Sequence, residues 1–267
     1  MDSLLLKKMD ALPTSPITYF FVKNETEKIE VNPLIGEKIK IEHEGDKYCV
    51  RCGQKVNKLY GEGFCYKCFI TAPEADVCVI HPEKCQAHLG ISRDMEWSKE
   101  HCLIDHYVYL AITDHLKVGV TRKTQVPKRW IDQGAVKAIK LAKTPYRQLA
   151  GLIEVDLKQY FSDKTHWKRM LAPVNEQAAE IDLIEAKKKA ASLIKPEFRK
   201  YLELDNTIYE FQYPVIEYPA KIQSLNLDKE PIIEARLIGI KGQYLIFDNG
   251  KVLNIRKHSG FSVKIYS

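Results

Sequence analysis

The chain has 267 residues, of which 45% are hydrophobic and 28% charged. That mix excludes a disordered, collagen-like or coiled-coil polypeptide, and the length suits two compact units better than one or four. The formal net charge is +6, but residues 107–175 alone carry 13 basic and 5 acidic side chains while the rest is near neutral. A basic excess confined to one stretch points to an anionic partner such as nucleic acid.

The chain opens MDSLLLKKMDALPTSP, whose three leucines are too short for a signal-peptide core. No apolar run approaches the ~20 residues a membrane span needs. A cytoplasmic protein without membrane association is the expectation, and the oligomeric state is left open. Residues 1–48 form a first, β-rich unit: ITYFFVK, KIEV and EKIKIEH alternate apolar and polar side chains, with turn signals at NET and NPLIG.

Residues 49–106 hold all seven cysteines and few apolar runs, so a metal staple replaces the missing core. Cys49-Val-Arg-Cys52 and Cys65-Tyr-Lys-Cys68 are two C-x2-C knuckles, the spacing that turns paired thiolates onto one tetrahedral zinc. Gly53 eases the tight turn after the first pair. A closed four-thiolate site serves folding rather than catalysis. Cys78, Cys85 and Cys102 are the thiolates of a second structural zinc, with His88 or His106 as alternative fourth ligands; His81 and His101 lie in the same stretch.

Residues 107–175 read as β-β-α-β-α. YVYLAI and LKVGVTRK flank a turn at Thr113–His115, QVPKRWIDQGA is a short helix, and VKAIKLAKT is a third strand. A helix follows with Thr144 as N-cap and Pro145 in its first turn, presenting Leu149, Leu152, Ile153, Leu157 and Tyr160 on one face. Trp130 and Trp167 are packing residues. Residues 174–204 read as a helix with Lys187-Lys188-Lys189 on its solvated side. From Thr207 the pattern is β again (TIYEFQYPV, IIEARLIGI, QYLIFD, KVLNIR, SVKIY), with a hairpin signal at Asp248-Asn249-Gly250. The turns at Lys241–Gln243 and Arg256–Gly260 either contact phosphates or simply join strands. The fold class is therefore α+β, in four segments: 1–48, 49–106, 107–175 and 176–267.

Tyr107-Val108-Tyr109 on one strand, Lys117-Val118-Gly119-Val120-Thr121 on the next, Arg129 on a helix and Glu154 on a later helix resemble the GIY-YIG nuclease superfamily over residues 107–171. The whole chain also resembles an uncharacterised bacterial family known only as a domain of unknown function, through its knuckles, VYLA…KVGVTR…RWIDQGA, DKTHW and GIKGQYLIFDNGKVLNIRKHSG. That second resemblance supplies no activity.

The superfamily resemblance implies hydrolysis of DNA or RNA phosphodiesters with one Mg²⁺ or Mn²⁺. Tyr109 and Gly119 match the first and second motifs, Arg129 the arginine that stabilises the transition-state phosphate, and Glu154 the metal-holding carboxylate. Lys117 stands where the second motif has tyrosine, which leaves Tyr109 or Lys117 as the group that orients or deprotonates water. The usual terminal asparagine has no match; His166 or Asn175 stands nearest.

The chemistry is coherent on residue grounds. A guanidinium donates two parallel hydrogen bonds to phosphate oxygens. A lone carboxylate suits Mg²⁺, which keeps most of its waters. Glu154 is the only glutamate in 107–175, off the apolar stripe, and Gly151 one turn earlier leaves room for a ligand. Arg122, Lys123, Lys128 and Arg147 are the expected phosphate contacts. Two other functions fit the same residues: a nucleic-acid-binding module without catalysis, and a structural protein whose zinc units organise an interface.

Overall fold

In the computed structural model, which describes residues 3–24, 26–162, 165–174 and 176–267, the chain divides into two compact units rather than four consecutive segments. One comprises Met1–Ile70 and Phe211–Ser267, the other Thr71–Glu210. The architecture is mixed α+β.

The first unit is built on a seven-stranded sheet. Its order is Leu4–Leu5, Phe261–Tyr266, Lys38–Lys47, Ile232–Lys241, Tyr244–Phe247, Lys251–Asn254 and Gln223–Ser224. The central Lys38–Lys47 strand buries Ile39, Ile41 and His43 and exposes or half-exposes the charged residues between them. That period of two faces one side of the strand to the core. Ile39 and Ile41 pair with Ala235 and Ile233 across the sheet. The expected hairpin is present: Tyr244–Phe247 pairs with Lys251–Asn254, and Gly250 takes φ +74°, a conformation that favours glycine. A three-stranded meander, Asp10–Leu12, Thr18–Val22 and Lys28–Glu30, completes the β structure.

The two basic turns of this unit are built into the fold. Lys241 is buried, with its ammonium over the Tyr213 and Tyr218 rings, and the Gln243 amide binds both the N–H and the carbonyl of Met9. His258 is buried and Arg256 pairs with Glu62.

The second unit carries a four-stranded antiparallel sheet in the order Leu116–Arg122, His106–Ile112, Lys137–Thr144, Ile208–Glu210. The central His106–Ile112 strand is buried along its whole length. TIYE thus closes this sheet instead of beginning the C-terminal β structure. Helix Lys128–Asp132 follows the second strand and ends at Gly134, φ +70°. Helix Arg147–Leu157 packs Ala150, Ile153 and Leu157 on the core formed by Val108, Leu110, Val118 and Leu141; Leu149 is buried outside that cluster.

Several local expectations change. Tyr146, in extended backbone, occupies the N-cap of Arg147–Leu157; Thr144 remains in the preceding strand and its hydroxyl donates to the Tyr146 carbonyl. The helix stops at Leu157, so Tyr160 falls off its apolar face and is exposed. The 174–204 segment is broken into Glu176–Ala179, Leu183–Leu193 and a 3-10 turn Pro196–Tyr201. Asp182 caps the middle piece by accepting from the N–H groups of Ile184 and Glu185. Within the lysine run, Lys187 is buried and donates to the Asp205 carbonyl, while Lys188 and Lys189 are exposed.

Candidate functional site

The register of the second sheet sets Tyr109 opposite Gly119, and Ala111 opposite Lys117. Tyr109 and Lys117 are both buried, 1% and 2% exposed. Gln133 draws their polar ends together: its Oε1 accepts from the Tyr109 hydroxyl at 2.7 Å and from Lys117 Nζ at 2.6 Å. Lys117 also donates to Thr165 Oγ1 at 3.0 Å. Thr165 arrives because residue 162 bridges to Lys117 and its carbonyl accepts from the Val118 N–H.

Gly119 has a steric reason to be glycine. A Cβ there would stand 2.6 Å from the Tyr109 hydroxyl and ring. The tyrosine therefore crosses the neighbouring strand to reach Gln133. Trp130 packs edge-on to the Tyr109 ring, 5.7 Å between centroids, and against Tyr209, as a core residue.

Burial pushes the Tyr109 hydroxyl up to about 12; the neighbouring Arg129 guanidinium opposes this, and the carboxylates of Glu154 and Asp132 add to it. Gln133 thus links Tyr109 and Lys117 directly, and Arg129 and Glu154 act on the same phenol through their charges. Glu154 is 8% exposed, with Lys158 Nζ 3.4 Å from Oε2, so it is more enclosed than its place off the apolar stripe suggests. The gap at Gly151 is taken: a Cβ there would run into the Pro82–Glu83 backbone. Gly151 permits a close loop–helix approach rather than leaving ligand space.

Two residues of this cluster escape sequence reasoning, Asp132 and Gln133. The available signal is helical spacing, since Asp132 lies one turn beyond Arg129. His166 is exposed beside Thr165, and Asn175 lies outside the described residues.

Of the four expected phosphate contacts, Lys123 is exposed near Asp105 and Lys128 is half-buried. The two arginines face elsewhere. Arg147 is buried: Nη1 lies 3.3 Å from Cys78 Sγ, Nη2 donates to the His101 carbonyl, and the guanidinium lies over Trp97. Arg122 is half-buried, and burial, then Arg147, lowers its affinity for its proton while the Cys102 sulfur opposes them.

The cysteines form two separate groups, and both could hold zinc. Cys49, Cys52, Cys65 and Cys68 bring their sulfurs within 4.8 Å of one another. Zinc bound to four thiolates at ~2.3 Å needs sulfurs about 3.8 Å apart, so the arrangement fits. The Cys68 N–H points at Cys65 Sγ, and Gly53 takes φ +72° in the turn after Cys52. Burial raises the Cys49 thiol, but backbone N–H groups of Cys52, Cys65 and Arg51 outweigh it and bring the thiol well below its ordinary range. Such donors stabilise thiolate, the ligating form.

The second group is Cys78, Cys85 and Cys102, also within 4.8 Å of one another and all buried. Neither expected histidine joins it. His106 is buried with Nδ1 on the Ile104 carbonyl, and His88 stacks on Tyr146, 4.9 Å between centroids. His101 bonds to the Trp97 carbonyl and stacks on that indole, and His81 lies beside Glu83.

Among the described residues, no helix is long and apolar enough to cross a membrane. No curated protein and no solved structure matches the chain. A family model does match, over residues 36–263, and the chain belongs to that family, described as protein of unknown function (DUF2797).

Proposed function

We propose that the Tyr109–Lys117–Arg129–Glu154 cluster cleaves phosphodiester bonds of nucleic acid with a divalent metal, and that the four-thiolate zinc site serves folding. The observation that supports this is the shared bonding of Tyr109 and Lys117 to Gln133, with the charges of Arg129 and Glu154 acting on the Tyr109 hydroxyl. The donor set suits a hard cation: Glu154, with Asp132 nearby, offers carboxylate oxygens, the ligands Mg²⁺ and Mn²⁺ take. When bound, such a metal neutralises phosphate charge and acidifies a water.

The chain's own residues do the rest. Arg129 donates to the phosphate oxygens as charge builds on them. Tyr109, held protonated by burial, works at neutral pH as a hydrogen-bonding group that orients the attacking water, not as a ready-made base. Lys117 and Gln133 fix the tyrosine's direction. Lys123 and Lys128 remain the candidate contacts to the nucleic-acid backbone.

Purified protein with Mn²⁺ or Mg²⁺ is expected to nick at least one of single-stranded, duplex, branched or RNA substrates, and Glu154→Gln to abolish nicking without loss of fold. Absence of cleavage across that set overturns the proposal.

A second reading, binding without turnover, is favoured by one observation: Tyr109 and Lys117 already share a single protein acceptor. It predicts salt-dependent affinity that Glu154→Gln leaves unchanged.

A further inference from the structure

The second thiol group differs from the first in what surrounds it. Three buried sulfurs lie within 4.8 Å of one another, and among the described residues no histidine nitrogen or carboxylate oxygen completes the set. A cavity of about 320 Å³ opens directly onto Cys78, Cys85 and Cys102, walled by Trp97 and flanked by Lys84 and Arg93. The histidines of this segment make other contacts: His88 stacks on the Tyr146 ring with its buried Nδ1 unbonded, His101 binds the Trp97 carbonyl, and His106 Nδ1 binds the Ile104 carbonyl.

We propose that Cys78, Cys85 and Cys102 hold a zinc ion whose fourth coordination position faces this cavity and is filled by an exogenous donor, solvent water exchangeable for a small thiolate. The sulfur spacing selects the ion. Tetrahedral zinc–thiolate geometry requires sulfurs about 3.8 Å apart. An iron–sulfur cluster, with inorganic sulfur and several irons between its thiolates, would hold them farther apart.

Charge supports the same assignment. Three thiolates on one Zn²⁺ leave a single negative charge. The Arg147 guanidinium, with Nη1 3.3 Å from Cys78 Sγ, sits where that charge develops. Beside neutral thiols the buried Arg147 guanidinium would keep only the His101 carbonyl and the Trp97 face as partners. The site is also tied to a helix: the Arg147 N–H donates to the Cys102 carbonyl, so the start of helix Arg147–Leu157 anchors both ligand and counter-charge. Three protein ligands with an open position is the arrangement of zinc sites that bind or activate a ligand; a closed set of four marks a structural one.

The ligand class follows from the walls. Soft zinc–thiolate centres accept thiolates. The Trp97 face suits a short carbon chain, and Lys84 and Arg93 suit an anionic end, although Arg93 already pairs with Asp76. This inference is independent of phosphodiester cleavage and stands if that activity is absent.

The test is metal analysis and cobalt substitution of the full chain. Two zinc ions per chain are expected. In the Co²⁺ form, near-stoichiometric mercaptoacetate should shift the visible ligand-field bands saturably, at one equivalent per chain, with both metals retained. Cys85→Ser should lose one metal and the whole of that response. Because that variant can also unfold the site, wild-type stoichiometry and titration suffice by themselves. One metal per chain, or a cobalt spectrum indifferent to mercaptoacetate, overturns the proposal. So does a spectrum altered by His88→Ala or His106→Ala in the absence of thiol, which would mean that a histidine closes the site.

Discussion

The Tyr109 ring occupies the space in which a side chain at Gly119, its partner across the sheet, would begin. Two motif positions 10 residues apart are thereby one steric unit. Gly119→Ala forces the ring off its path, away from Gln133, and overpacking of this kind costs about 1–3 kcal/mol. Chemical denaturation should register that loss, and the double variant Gly119→Ala/Tyr109→Ala should lose less than the sum of the two single losses. Additive losses would show that the two residues do not clash.

Gln133 Oε1 is the common acceptor for a phenol and an ammonium, both buried. Gln133→Leu keeps much of the volume and removes the acceptor, and a buried donor deprived of its partner costs about 1–3 kcal/mol, more when charged. A loss of at least about 2 kcal/mol is expected, with Gln133→Glu closer to wild type because its carboxylate still accepts from Lys117. Equal stability of the leucine and glutamate variants would count against this role.

The four-thiol cluster is legible in the sequence because zinc ligation demands thiols at short, fixed spacing, as at Cys49–Cys52 and Cys65–Cys68. Period-two alternation in KIKIEH and the DNG turn likewise declare their strands. Gln133 carried no such signal: a neutral amide becomes informative only once two donors converge on it. Arg147 looked like a surface cation because a helix-start arginine gives no sign that a sulfur will lie beside it. Gly151 reads as open space for the same reason, since the loop that fills it comes from 68 residues away (Glu83). Charge counts located the basic segment but not which of its cations turn inward.

His106 supplies a pH dependence. Burial pushes its imidazole down to about 4; the Ile104 carbonyl opposes the shift, Arg147 and Arg122 reinforce it, and Asp105 opposes it. The carbonyl can only accept, so Nδ1 carries the proton of the neutral ring. Above about 6.5 both folded and unfolded chains hold neutral histidine and the group is silent. As pH falls from 6.5 toward 4, the unfolded chain takes a proton that the folded one refuses, and stability is lost. The full effect is about 3 kcal/mol from a depression of this size. His106→Gln keeps a donor for Ile104 and removes the titration. Between pH 7 and 5 the wild type should lose more unfolding free energy than the variant, by urea denaturation at each pH. Parallel curves would refute the assignment. Thiolate protonation acts on both proteins alike and cancels in the comparison.

The four-thiolate site makes a local prediction in the first unit. Residues 49–70 bury little apolar side chain; their order comes from knuckle hydrogen bonds such as Val50 N–H to Gly63 O and the reciprocal Tyr60–Phe64 pair. The main sheet has its own core, with Ile39, Ile41, Leu237 and Val263 buried. Removing zinc should therefore release the knuckles before the sheet. Hydrogen exchange at the Val50, Tyr60 and Phe64 amides should accelerate by roughly 100-fold, about 2.7 kcal/mol of local stability, on chelation or in Cys65→Ser. Amides of the Lys38–Lys47 strand should change far less. Readdition of Zn²⁺ should restore protection in the chelated wild type but not in Cys65→Ser. Uniform acceleration across both regions would show instead that the zinc site and the sheet unfold as one cooperative unit, and unchanged exchange at the knuckle amides would mean that the thiols order this segment without metal.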